Sequence, residues 1–224
     1  MRDYKNFEGF ILDIDGTVLK NSVYVLLEYA LDFIQKYREL PSHFLYSFLK
    51  NMTALSFHDS VNFLFKSMGI LEKAEEFFEG ISSLTQYKGK IIEIDKDFDY
   101  FISWCQALNK KILFFSMADH KQKRFKKIFD RFSNNFIDVN NSPKSDFETF
   151  RNLITRYNLS PEQWFYVDDT PIALWNAYEA GFITVLPLYS VYEKKDYKEL
   201  LSHIDFRIES FRDLIKIIKK SFRI

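Results

Sequence analysis

Short unbroken apolar runs alternate with longer stretches of helical periodicity along most of the chain. Gly9-Phe10-Ile11-Leu12 is a four-residue apolar run cut off by Asp13-Ile14-Asp15-Gly16-Thr17, the signature of a buried parallel strand that ends at a polar rim. The next block, from about Ser22 to Thr85, differs. Leu26, Leu27, Ala30, Leu31, Ile34 and Tyr37 recur at helical spacing, and a break follows at Pro41-Ser42. Phe44 to Leu49 predicts a second helix, Val61 to Met68 a third stopped by Gly69, and Leu71 to Leu84 a fourth, with no convincing strand between them. Alternation then resumes. Helices are predicted at Phe98 to Leu108, Phe125 to Phe132, Phe147 to Tyr157 and Pro171 to Ala180. Strands are predicted at Ile112 to Ser116, Phe136 to Val139, Trp164 to Val167 and Phe182 to Leu186. Ser160-Pro161-Glu162 reads as a helix start, and Ser210-Phe211-Arg212-Asp213 as a capping box opening a last helix through about Lys220. Strand–helix alternation of this kind implies an α/β fold, a Rossmann-like doubly wound parallel sheet with helices on both faces. The helical block is an insert after its first strand, so residues 1–19 and 88–224 are expected to form the core and 20–87 a helical cap.

Composition narrows the functional classes. With 47% hydrophobic and 28% charged residues in 224, the chain is globular, and its 25 phenylalanines are expected to fill core. Formal net charge is zero, so no global field draws nucleic acid or an acidic membrane, and the basic run Lys121 to Lys127 reads as an exposed helix face. Cys105, the single cysteine, excludes an internal disulfide and is expected to be a packed thiol in a cytoplasmic protein. Charges near the N-terminus argue against a signal peptide, and no apolar stretch has the length of a membrane span. The four histidines show no paired metal spacing.

In open α/β sheets ligands bind beyond the carboxyl ends of the strands, so the polar residues there carry the chemistry. Those residues are Asp13 and Asp15, Ser116, and Asp168 with Asp169. Four carboxylates on one rim repel unless a cation joins them or they share protons, and hard oxygen donors with charge to neutralise point to Mg²⁺. Lys144, just before a predicted helix, is a further cation within reach. The set suits phosphoryl transfer: one carboxylate attacks phosphorus, a second shuttles the proton, and cations neutralise the phosphate oxygens. Gly16 lets the chain turn close to the phosphate, and Thr17 offers a hydroxyl.

These residues resemble the haloacid dehalogenase superfamily over most of the chain. Asp13-Ile14-Asp15-Gly16-Thr17 matches its opening D-x-D-G-T signature. Ser116 matches the hydroxyl residue of its second motif, Lys144-Ser145-Asp146 and the helix after it resemble the third, and Asp168-Asp169 is similar to the acidic fourth. The resemblance implies Asp13 as nucleophile, Asp15 as acid/base, and Lys144 as the catalytic cation. It further implies phosphate contacts from Gly16, Thr17, Ser116, Met117 and Lys144, and Mg²⁺ held by Asp13, Asp169 and the Asp15 carbonyl, with Asp168 alongside. The insert resembles the helical cap of the phosphoglycolate phosphatase and β-phosphoglucomutase branch. Three positions depart from that pattern: Met117 replaces a common asparagine, Asp168 a common glycine, and Ala173 a common acid.

The expected activity is Mg²⁺-dependent hydrolysis of a small phosphorylated metabolite through an aspartyl-phosphate, by a monomer or homodimer. A sugar-phosphate mutase uses the same carboxylates and stays open, as does an inactive binding protein on this fold. No motif in the cap names the substrate.

Overall fold

The computed structural model describes residues 6–52, 57–118, 122–137, 143–189, 191–192 and 194–222. The first strand, β1 (Gly9–Leu12), runs into a loop and a two-residue strand, β2 (Leu19–Lys20). Four helices follow: α1 (Ser22–Gln35), α2 (Ser42–Met52), α3 (Phe57–Ser67) and α4 (Ala74–Ser83). Two-residue strands β3 (Gln86–Tyr87), β4 (Lys90–Ile91) and β5 (Glu93–Ile94) lead back. Then come α5 (Phe98–Ala107), β6 (Lys111–Phe114), α6 (Lys126–Phe132), α7 (Phe147–Tyr157), β7 (Trp164–Val167) and α8 (Pro171–Glu179). The chain closes with β8 (Ile183–Pro187), β9 (Phe206–Ile208) and α9 (Phe211–Phe222).

The main sheet is parallel throughout, in the order β6-β1-β7-β8-β9. Period-two alternation sends neighbouring side chains to opposite faces. Phe10 and Leu12 of β1 and Phe165 and Val167 of β7 join one apolar cluster with Phe98 and Phe101 of α5 and Leu214 and Ile218 of α9. Ile11, Trp164 and Tyr166 join the other, with Phe150 of α7 and Leu174 and Ala177 of α8. Both faces are therefore covered, as a parallel sheet requires. Phe44, Phe63 and Phe147 are exposed, but many of the phenylalanines fill these cores, Phe10 packing edge-on against Phe101 with ring centroids 4.8 Å apart. Cys105 is buried among them.

The four inserted helices surround an apolar cluster of their own, built on Phe33, Phe65 and Phe77. The chain enters and leaves this unit through a neck, where β2 pairs antiparallel with β5. Beside it β3 and β4 form a hairpin whose two loop residues, Lys88 and Gly89, both have positive φ (47° and 78°), the twist-matched turn for a two-residue loop. Among the described residues no helix is long and apolar enough to cross a membrane.

Several local expectations are corrected. Ser160-Pro161-Glu162 opens a single 3₁₀ turn, Pro161–Gln163, without a side-chain cap, because β7 begins at once and takes the backbone into extended pairing. The fourth inserted helix begins as a 3₁₀ turn at Leu71–Lys73. Phe136 forms only an isolated bridge with Phe114, and Asp138 and Val139 lie outside the described residues. The edge strand β9 has no clear signal in its own sequence.

Candidate active site

Register decides what meets at the rim. Leu12 lies opposite Phe114 on one side and Val167 on the other, so β6, β1 and β7 end level. The next residues along are Phe115-Ser116, Asp13 and Asp168. The Asp13 N–H still donates to the Val167 carbonyl at 2.9 Å, fixing its carboxylate just past the last rung.

The side chains then interlock. The Lys144 ammonium donates to Asp13 Oδ1 at 2.5 Å and to Asp168 Oδ2 at 2.7 Å. Lys144 is placed by the start of α7: Asp146 caps that helix by accepting from the Glu148 N–H, Thr149 Oγ1 donates to the Pro143 carbonyl, and Asn176 of α8 donates to the Lys144 carbonyl at 2.9 Å. Asp168 is fully buried and bonded on both oxygens. Besides Lys144 it accepts from the Tyr166 hydroxyl at 2.8 Å and from the Thr170 N–H at 2.8 Å. Asp169 is held through its backbone, whose carbonyl accepts from the Tyr197 hydroxyl at 2.6 Å. Gly16, with φ +81°, lets the opening loop pass directly over the Asp169 carboxylate; a Cβ there would sit 2.2 Å from Asp169 Oδ2.

Burial raises the Asp13 carboxyl well above the ordinary carboxylate range; Lys144 pulls it back, and the charges of Asp168 and Asp169 push it further up. Burial alone would lower the Lys144 ammonium, yet Asp13 and Asp168 hold it above its ordinary value. Asp13, Asp168 and Asp169 can bring carboxylate oxygens within 4.8 Å of one another, all buried, a donor set fit for a hard cation.

Asp15 stands apart from that trio. Its carboxylate is forked by Arg124, whose Nε lies 3.0 Å from Oδ1 and whose Nη2 lies 2.7 Å from Oδ2; Nη1 donates to Gln122. Arg124 belongs to the basic run expected to be an exposed helix face. The structure corrects that reading: Arg124 and Phe125 are buried, because the 3₁₀ turn Lys123–Phe125 tucks against the rim. Nothing in a run of lysines marks one member as inward-facing. Tyr166, Asn176 and Tyr197 also escape a sequence reading, although a lone hydroxyl at the end of the apolar strand Trp164–Val167 is a faint signal.

Asp13, Asp15, Ser116, Met117, Lys144 and Asp169 line one side of a cavity of about 450 Å³, and helices of the insert line the other. Ser116 Oγ accepts from the Ala118 N–H at 3.2 Å. Asp168 lies behind Lys144, away from the cavity lining. Gly16 and Thr17 lie in the opening loop behind the lining; Thr17 is fully buried. His58 is exposed at the cavity and stacks on Phe78, and His203 packs on Trp175 and Tyr178; His120 lies outside the described residues.

No family model matches the sequence, and no curated protein matches it. Solved structures do. A β-phosphoglucomutase from Clostridium difficile superposes with a TM-score of 0.68 at 14% identity, covering 97% of each chain. A protein described as a predicted phosphoglycolate phosphatase from Haemophilus somnus gives 0.66 at 15% identity, covering 95% of this chain and 98% of that one. A HAD-superfamily hydrolase of subfamily IA from Geobacter sulfurreducens gives 0.59 at 13% identity, covering 96% and 97%. Identities this low carry architecture, and the architecture agrees over nearly the whole length: the chain has the fold of the haloacid dehalogenase superfamily, a Rossmann-like core with a helical cap inserted after its first strand.

Proposed function

We propose that this chain is a Mg²⁺-dependent phosphohydrolase that forms an aspartyl-phosphate on Asp13. The observation that carries this reading is the convergence of Asp13 and Asp169 on the cavity floor, with Asp168 close behind them and Lys144 bonded to both Asp13 and Asp168. Asp13, Asp169 and the Asp15 carbonyl would hold the metal, which supplies charge neutralisation on the phosphate oxygens when bound. Asp168 is assigned a supporting part: it fixes Lys144.

The Lys144 ammonium occupies one oxygen of Asp13 and leaves the other to attack phosphorus. As that bond forms, the ester P–O bond breaks and its electron pair leaves with the alcohol oxygen. Asp15, entering this step in its protonated form, gives that oxygen a proton and is left a carboxylate. Water then attacks phosphorus, Asp15 takes the water's proton, and the Asp13 carboxylate and inorganic phosphate separate. Lys144 balances charge on the phosphoryl oxygens in both steps, while the Asp13, Gly16 and Thr17 N–H groups stay bonded within the protein and hold the loop in place. We take 20–87 as the cap and 1–19 with 88–224 as the core, so cap closure over the rim gates water between steps. A sugar-phosphate mutase would use the same carboxylates, and the C. difficile structure bears that name, so the second step is what separates the two activities. A cytoplasmic site suits the single buried thiol.

Asp13→Asn should lower phosphate release from p-nitrophenyl phosphate under Mg²⁺ by on the order of a thousandfold or more, with an unchanged circular-dichroism spectrum. Mg²⁺ should also raise the Tm of the native chain, by the equivalent of about 2.7 kcal/mol at a hundred times its Kd. Full turnover in the Asp13→Asn protein ends the covalent proposal, and a Tm indifferent to Mg²⁺ ends the metal assignment.

A further inference from the structure

The cavity above the carboxylates has two unlike walls. The rim side is polar. The cap side is built from Val23, Leu26 and Leu27 of α1, Leu49 of α2, and Phe78 and Ile81 of α4. Among the described residues, the polar cap side chains at the cavity are His58 and Asp59. Their side chains are 68% and 83% exposed, which puts them at its outer edge, and the His58 ring lies flat on Phe78 at 4.4 Å. A sugar or polyol brings a hydroxyl at nearly every carbon, and each one buried against such a wall would lose its water without gaining a partner.

A second observation narrows the class further. Among the described residues, the lysine and arginine side chains lining the cavity are Lys144 and Arg124. Lys144 is bonded to Asp13 and Asp168, and Arg124 is forked onto Asp15 and bonded to Gln122. Neither is left over to receive a second anionic group, so the site favours substrates with no carboxylate or second phosphate beyond the one being transferred.

Resting on the phosphohydrolase reading, we infer that the substrate is the phosphate monoester of an apolar alcohol, a short alkyl or single-ring aryl group, with no sugar, polyol or carboxylate leaving group. The phosphate sits at the Asp13 rim and the apolar group lies against α1 and α4. Hydrolysis returns the apolar alcohol and inorganic phosphate, with the proton route already given.

The test compares three phosphate esters of primary alcohols under Mg²⁺: n-hexyl phosphate, glucose 6-phosphate and 2-phosphoglycolate. Expected is a kcat/KM for hexyl phosphate at least tenfold above either of the others, a difference of about 1.4 kcal/mol. As a readout without turnover, hexylphosphonate should compete with p-nitrophenyl phosphate at least tenfold more tightly than methylphosphonate. Leu26→Gln, which places an amide on the half-buried part of the wall, should narrow the hexyl-to-glucose ratio at least threefold. If that variant does not fold, the phosphonate comparison carries the test. Equal or faster release from glucose 6-phosphate or 2-phosphoglycolate, or equal binding of the two phosphonates, overturns the substrate class and leaves the hydrolase standing. Release from none of the three esters or from p-nitrophenyl phosphate overturns the phosphohydrolase reading itself.

Discussion

Two residues around the carboxylates do work that their neighbours cannot replace. Gly16 combines a left-handed backbone, φ +81°, with an approach so close that any Cβ would strike Asp169. Gly16→Ala must therefore strain the loop and displace a proposed metal ligand together. Expected are a stability loss of about 1–3 kcal/mol in urea unfolding and a weaker Mg²⁺-dependent rise in Tm. Arg124 is the second. Its fork on Asp15 sets the direction of the proposed acid/base, and Asp15 keeps a side-chain exposure of 16%, enough for water to soften the loss of the pair. Arg124→Met should cost no more than about 3 kcal/mol of stability, below the usual range for stranding a fully buried charge. Arg124→Lys keeps the charge but not the two-pronged geometry. It should lower kcat by about tenfold or more with KM nearly unchanged, the pattern of a positioning residue, whereas a rise confined to KM would assign Arg124 to substrate binding.

At the scale of elements, legibility followed locality. β1, β7 and α7 could be read to the residue, because a four-residue apolar run closed by an acid and a stretch of helical periodicity are both signals carried within the segment itself. The rim carboxylates followed from that, since strand ends were all the argument needed. What escaped depends on partners distant in sequence. Phe206-Arg207-Ile208 becomes a strand only because β8 offers it an edge. Arg124 becomes a buried cation only because Asp15, 109 positions away, faces it. Ser160-Pro161 has the letters of a helix start, and the nearby β7 leaves room for one turn. The cap on α7 gives a prediction of its own. Asp146→Ala removes the acceptor for the Glu148 N–H and should cost about 1 kcal/mol. Lys144 lies two residues before that cap, so turnover should fall several-fold as well. Thr149 and Asn176 still hold the Pro143 and Lys144 carbonyls, so the loss should stay well short of that in Asp13→Asn. Urea titration and steady-state rates on one preparation check both numbers.

Across the whole molecule, two of the joints between the insert and the core differ in stiffness. One is the neck, where both chain crossings run through the β2–β5 pair. The other is a latch between α2 and the segment that follows β8. Lys50 of α2 reaches Asp196 at 2.5 Å, its ammonium lies 5.0 Å from the centre of the Tyr192 ring, and the Tyr192 hydroxyl donates to the Lys50 carbonyl at 3.0 Å. The neck is covalent and permanent, while the latch rests on an ion pair, a ring contact and a hydrogen bond that can be broken and remade. Tyr192 also lines the cavity, so the latch and substrate enclosure share a residue. A cap that admits an ester, shuts out water and later readmits it needs one fixed joint and one releasable joint, and this division supplies them. Asp196→Asn weakens the latch without touching the carboxylate rim. It should raise KM several-fold and speed hydrogen exchange in α2, while exchange in β1 and β7 stays as in the native chain. Faster exchange spread evenly over cap and sheet would mean that the pair supports global stability and that the cap does not move about the neck.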